Sequence, residues 1–305
     1  AFPGSPVLGG CMCGFASYTI PNVRTVGYDV VCNRPKATAY RAPGSPAAAY
    51  AVESAMDMAA AKIGMDPLEF RLKNAAKPGT VMVYGAKHAH EGFAETLRAL
   101  QRHPGYAAPL GKNQGRGVAL GYWFNGGGES SATVHVNEDG TVVVATGSPD
   151  IGGSRASTAL MAAETLGIPY DHVRPIIADT NSVGYTQATG GSRVTYATGK
   201  AVINACNKVI AEMCARAAKI WKVDAADVIW EDGCARPAGK RVGEFEPLPF
   251  KAIAAKRTAT GGPIGASASL NAEGQAPGFS AQFCDVEVDP ETGHVKILRY
   301  VAAQD

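Results

Sequence analysis

An α+β fold of mixed sheets and packed helices is what the order of patterns in this sequence predicts. Alternating segments recur in pairs, as in FCDVEVDPETGHVKILRYV, two strands joined at DPETG. Between such pairs lie stretches with helical spacing, above all one ending near Trp221, whose apolar positions 202, 205, 209, 213, 217 and 220 fall on one face. Hairpins and helices are mixed, without the regular strand–helix–strand alternation of a doubly wound parallel sheet.

The elements follow in order. Residues 1–40 read as loop and strand, with Val26, Tyr28, Val30 and Cys32 alternating as in a strand. A helix then opens with Ser45 as N-cap and Pro46 at N1, carries Val52, Met56, Ala59 or Ala60 and Ile63 on one stripe, and stops at Gly64. Asp66-Pro67-Leu68-Glu69 caps a second, short helix. A third runs from Phe93 to Gln101, and PGYAAPLGKNQ (104–114) is the candidate domain boundary. Strands are expected at Gly115–Phe124 and Thr133–Val136, with a turn at Asn137–Gly140 into Thr141–Thr146. A helix over Ser154–Leu166 ends at Gly167, and a strand covers Val173–Ala178. The Gly triplet of GYWFNGGGES (121–130) reads as a turn or bulge, and VIWEDGCARP as a hairpin around Asp232-Gly233.

Composition narrows the function. A chain of 305 residues that is 46% apolar and 18% charged can bury a large core, in one large domain or two ordinary ones. A net charge of +2 gives no general case for nucleic acid or an acidic membrane surface, and no run of 18 apolar residues spans a bilayer. The seven Cys are irregularly spaced and lack a CxxC pair, so they read as reduced, mostly buried thiols of a cytoplasmic protein, with no zinc or iron–sulfur set. Residue 1 is not Met and no signal-peptide pattern follows, while the last strand runs to the end. A piece of a longer chain, or of a site completed by another polypeptide, is therefore expected.

Three loops share one design: Arg41–Ser45, Gly147–Ser154 and Thr189–Arg193. Each is rich in small residues and runs into a helix. Helix N-termini offer unpaired N–H groups to anions, glycines let backbone approach a ligand, and Arg41 and Arg193 add forked donors. Together they suit a long, phosphate-bearing cofactor; singly, each also fits a tight turn between elements. None matches GxxxxGK[ST] or GxGxxG. The six His are scattered; His88-x-His90 has metal spacing but no third ligand nearby, and surface histidines fit better. Glu53 and Asp57, one turn apart, read as solvated helix carboxylates.

Ala39-Tyr40-Arg41, Gly44 and Pro46, followed by Gly64, Asp66-Pro67, Glu69, Arg71 and Asn74, form a long string. It resembles the A-[FY]-R-x-x-G-x-P loop and G-x-D-P-x-E-x-R-x-x-N helix of the molybdenum hydroxylase (xanthine oxidase/aldehyde oxidase) family, in its large molybdopterin-binding subunit. YTIPNVR (18–24), GSPDIGGSR (147–155), LGIPYDHVRPIIADT (166–180) and TGGSRVTYATGKAV (189–202) fit the same family in order. The resemblance implies the remainder of a first molybdopterin-binding domain over 1–108 and the start of a second over 115–305. It implies molybdopterin, in its cytosine dinucleotide form, with molybdenum. Iron–sulfur clusters and FAD are expected on partner subunits or domains.

The family also implies roles. Arg41 is the expected catalytic residue in the active-site wall, with Tyr40, Ala42 and Gly44 lying against the metal's ligands. Gly190, Gly191, Ser192 and Arg193 belong to a loop that approaches metal and pterin through backbone. Gly152, Gly153 and Ser154 bind the pterin or phosphate side. Relatives with Gln at the position of Gly153 add a side-chain contact that this chain lacks. No side chain here is expected to ligate the metal, and the family's catalytic Glu, in a G-x-G-E motif, lies outside this chain. Ala42 stands where carbon monoxide dehydrogenases carry a copper-binding Cys, and the Arg of purine-oxidising members is missing upstream of YTIPN. An aromatic, N-heterocyclic or aldehyde substrate is implied; a non-catalytic cofactor-binding or assembly module is the alternative.

Overall fold

The computed structural model describes residues 4–35, 37, 39–89, 92–177, 179–274 and 276–305. Four helices come first: α1 (Ser5–Cys13), α2 (Ser45–Lys62), α3 (Pro67–Asn74) and α4 (Phe93–Arg102). Then follow β1 (Gln114–Trp123), β2 (Gly128–Val136), β3 (Val142–Thr146), α5 (Ser154–Leu166), β4 (Val173–Ile177) and α6 (Gly199–Trp221). The last elements are β5 (Val228–Glu231), β6 (Cys234–Pro237), β7 (Leu248–Pro249), α7 (Phe250–Ala255), α8 (Arg257–Thr260), β8 (Ile264–Ala272), β9 (Gly278–Val288) and β10 (Val295–Gln304). The fold is α+β. Among the described residues no helix is long and apolar enough to cross a membrane.

Two compact units divide the chain: residues 1–124 with 276–305, and residues 125–275. In the first, β1, β9 and β10 form an antiparallel sheet in that order, with Gln114 opposite Glu287 and Trp123 opposite Gly278. Its core gathers Leu68, Phe93, Leu97, Leu100, Val118, Leu120, Phe279 and Phe283. Alternation along β9 turns Phe279, Ala281 and Phe283 inward, as a sheet with one covered face requires.

The second unit is built on the sheet β4-β3-β2-β8. Only β3 and β4 are parallel, and the helix α5 makes the crossover that a parallel pair needs. Helix α6 buries Val202, Ala205, Val209, Met213 and Ala217, five of the six positions expected on its apolar face; Ile220 is half-buried. A small sheet, β5-β6-β7, completes the unit.

Five local expectations are corrected. Residues 26–32 form no strand; Val26, Tyr28 and Val30 are 56%, 81% and 74% exposed, because no neighbouring strand among the described residues pairs with them. The segment 5–13, expected as loop or strand, is helical despite weak local signals. Ser45 is not the N-cap of α2: Gly44 is, at φ +83°, and Ser45 instead donates its hydroxyl to the Tyr122 carbonyl at 3.0 Å. His88 is buried, with Nε2 2.8 Å from the Ala16 carbonyl and its ring edge-on to Tyr122; His90 lies outside the described residues. Of the seven cysteines, all free, only Cys13 and Cys206 are buried, where loss of hydration pushes their thiols up to about 11 and about 12.

Candidate functional site

The first loop, Tyr40–Ser45, belongs to the first unit. Its backbone is left-handed at two consecutive non-glycine residues, Arg41 (φ +34°) and Ala42 (φ +53°), and again at Gly44. Such conformations cost energy and persist only where the surroundings hold them. Here α1 does so: a Cβ on Gly44 would stand 1.7 Å from the Pro6 carbonyl oxygen. Helix α1 is therefore wedged beneath the loop, and the Ser45 hydroxyl ties the loop's end to β1. Tyr40 is 82% exposed and Arg41 is exposed too, so both side chains are available to a ligand.

Beneath this loop, α2 is bolted to the unit by its carboxylates, which corrects their solvated reading. Glu53 is buried: it accepts from Tyr18 Oη (2.8 Å), Arg71 Nε (2.8 Å) and the Leu120 N–H (3.0 Å). Arg71, fully buried, also reaches Asp57 at 2.7 Å and the Glu53 carbonyl at 3.0 Å. Burial first, then the Glu53 charge, drives the Tyr18 hydroxyl far above its ordinary range. A buried ion pair with every donor and acceptor matched is expensive to break from one side.

The second loop, Gly147–Ser154, lies in the second unit. Gly152 and Gly153 are left-handed (φ +84° and +110°), and the space beside both is open where a side chain would stand. Asp150 folds back over the start of α5 and accepts from Gly153 N (3.0 Å) and Ser154 Oγ (3.3 Å). The Gly153 N–H chiefly, with those of its neighbours, holds the Asp150 carboxyl below its ordinary range.

The third loop, Thr189–Arg193, is in the same unit. Gly190 is open on its Cβ side, and Gly191 and Ser192 are left-handed at φ +61° and +57°. Arg193 does not offer its fork to solvent. It is 3% exposed, and donates to the carbonyls of Gly127 (2.8 Å), Gln187 (2.8 Å) and Glu129 (2.5 Å) and to Ser130 Oγ (2.8 Å). Burial lowers its pKa, though an arginine stays charged. The side chain is spent on bracing the loop against the start of β2, which leaves the backbone at Gly190 as the part with open space beside it.

The last two loops are joined through hydroxyls that sequence reasoning missed. Thr198, fully buried in a π-helical turn over Val194–Thr198, lies 2.7 Å from Ser148 Oγ and 3.2 Å from Ser130 Oγ. A hint was available in GESSATVHV, where Ser130 and Ser131 break the alternation expected of a strand with one buried face. The structure thus brings Gly152–Ser154 and Gly190–Arg193 into one unit, and places Tyr40–Gly44 in the other.

No group of three or more His, Cys, Asp or Glu is placed to hold a metal ion, among the described residues. The donor set is instead glycine-rich backbone beside open space. That fits a cofactor that carries its own metal ligands and is held by N–H groups.

Models of the molybdopterin cofactor-binding domain match residues 3–75 and 92–305. The chain belongs to the molybdenum hydroxylase family. It is part of that family's molybdopterin-binding subunit. The putative xanthine dehydrogenase molybdenum-binding subunit of Escherichia coli K12 is 30% identical over 90% of this chain and 39% of its own length. An aldehyde oxidoreductase of Megalodesulfovibrio gigas is 33% identical over 64% of this chain and 23% of its own. Quinoline 2-oxidoreductase from Pseudomonas putida 86 shares the fold, with a TM-score of 0.76 at 22% identity over 98% of this chain and 42% of that one. The molybdopterin-binding chain thus spans about two fifths or less of the length of these relatives.

Proposed function

We propose that this chain forms the central part of the cofactor site of a molybdenum hydroxylase that oxidises an aromatic, N-heterocyclic or aldehyde carbon with oxygen from water. The observation that carries the reading is the match of two molybdopterin-binding domain models around three left-handed loops, of which the two in the second unit are open at Gly152, Gly153 and Gly190. When bound, the molybdenum cofactor supplies oxygen transfer to the substrate and acceptance of its electrons.

Each unit has its own part. In the first, the Tyr40–Gly44 backbone faces the cofactor and the Arg41 guanidinium orients substrate and stabilises negative charge developing on it. Because α1 and the Glu53–Arg71 pair hold the loop from below, Arg41 starts from a rigid base. In the second, the open backbone of Gly152–Ser154, apart from the Gly153 N–H that Asp150 takes, holds the pterin or phosphate side, and that of Gly190–Ser192 approaches the metal end. Arg193 keeps the latter loop in shape. The cytosine dinucleotide form fits the number of anion-facing loops. Iron–sulfur and flavin partners would accept the electrons.

Molybdenum and nucleotide content test this on the natively purified full protein with its partners. Near-stoichiometric molybdenum with CMP released by acid is expected. Absence of both, with the partners retained, overturns the reading.

A further inference from the structure

A guanidinium, three hydroxyls and two loops make one continuous buried chain in the second unit. Arg193 donates to Ser130 Oγ (2.8 Å); Ser130 Oγ is 3.2 Å from Thr198 Oγ1; Thr198 Oγ1 is 2.7 Å from Ser148 Oγ. Thr198 is fully buried, Ser130 is 2% exposed and Ser148 3% exposed. A guanidinium can only donate, so Ser130 accepts at that end. The two hydroxyl–hydroxyl bonds beyond it can each run in either direction, since a hydroxyl has two acceptor lone pairs beside its one proton. In either direction Thr198 can accept from one neighbour and donate to the other, an arrangement in which successive bonds strengthen one another.

The ends of this chain decide its role. Arg193 closes the loop that begins at Thr189, and also clamps Gln187 through its carbonyl. Ser148 opens the loop that ends at Ser154, and lies 50 residues from Thr198 in sequence. Thr198 is thus the middle of the hydrogen-bond path that links the two loops, bonded to Ser130 on one side and to Ser148 on the other. It sits in a π-helical turn, a costly local geometry that recurs at functional positions.

We infer that Thr198 is a positioning residue for the cofactor: its hydroxyl holds the Gly152–Ser154 and Gly190–Ser192 backbones in one shared arrangement. This rests on the proposed molybdopterin function. A cofactor grasped by both loops binds tightly only if both are held in register beforehand, since ordering a loose loop on binding costs affinity.

The test uses the full, natively purified enzyme as wild type, Thr198→Val, Thr198→Ser and Ser148→Ala. Molybdenum and CMP retained during a timed dialysis are measured. Hydrogen exchange is followed on the cofactor-stripped proteins. Thr198→Val removes the hydroxyl at nearly constant volume. It should lose cofactor roughly fivefold faster than wild type, the factor one buried hydrogen bond provides. Thr198→Ser should restore retention to within about twofold. In the stripped protein, Thr198→Val should speed exchange at 149–154 and 189–193 together, and Ser148→Ala should also speed exchange at 189–193, across the chain. Exchange that rises only around the substituted residue, or retention equal to wild type in both Thr198→Val and Ser148→Ala, overturns the inference. Ser148→Ala keeps the test decisive if Thr198→Val fails to fold. A wild type that carries neither molybdenum nor CMP overturns the function itself, and is told apart from failure of the coupling by the wild-type column alone.

Discussion

Replacing Arg193 with Met should weaken the second unit itself before it weakens any ligand contact. The side chain makes four hydrogen bonds, three to carbonyls and one to Ser130 Oγ, all from a charged donor at 3% exposure. Bonds to charged groups contribute about 1.5–3 kcal/mol each, so four at the low end give about 6 kcal/mol. These values are already net of exchange with water, and bonds sharing one guanidinium do not add in full, so the loss in Arg193→Met is expected at about half that sum, roughly 3 kcal/mol. Arg193→Lys should recover less than half of this, because a single ammonium cannot span oxygens on residues 127, 129, 130 and 187 as a planar fork does. Urea unfolding of the full protein measures the loss. Hydrogen exchange should locate it at 126–130 and 187–193. A variant that unfolds at the wild-type midpoint yet sheds its cofactor would refute the argument, since Arg193 would then serve the ligand directly.

Three further outcomes follow from the first unit. Arg41→Ala should cut turnover of the complete enzyme while molybdenum stays bound, as an exposed guanidinium on a rigid loop supports neither the fold nor the cofactor's anchorage; unchanged turnover removes the role. Glu53→Gln leaves Arg71 without its full partner and should destabilise by roughly 3 kcal/mol in urea unfolding, whereas a surface-like change near zero would contradict the buried pairing. Asp285, bonded by Arg116 Nε at 2.6 Å and by Arg299 at 3.1 Å, is held below its ordinary 3.8 by Arg116 chiefly. A carboxyl depressed in the folded state contributes stability above its unfolded value, and loses it as pH falls through the folded one. Melting temperature should therefore drop below about pH 4, and Asp285→Asn should flatten that drop; parallel curves for the two proteins would contradict it.

How legible was all this beforehand? The helix Ser154–Leu166 with its stop at Gly167, and the Asp66 cap bonded to Leu68 and Glu69, could be read residue by residue because local chemistry decides them. The loops that carry the family's signature were legible as glycine-rich entries to helices. What could not be read depends on distant partners. Helix α1, SPVLGGCMC, has glycines where a helix prefers alanine, and they are used to bring its backbone against Pro43 and Gly44. Strand β8 was missed because its polar alternation is set by pairing with β2. Glu53 looked like any helix carboxylate until Arg71 and Tyr18 were placed beside it. Arg193 looked ligand-facing because it closes a glycine-rich loop; only the carbonyls of residues 127, 129 and 187 show where its donors go.

The neutrality of those partners has an electrical consequence. Every acceptor around the Arg193 guanidinium named above is an uncharged oxygen, so its unit of positive charge is solvated by dipoles and not cancelled by them. The loop from Thr189 to Ser192 therefore lies beside a standing positive potential that no proton can switch off across the working pH range. Histidine-based anion holders fade as the medium turns alkaline. Here the pull on a negatively charged group stays constant, and it is supplied from behind the backbone that would touch it.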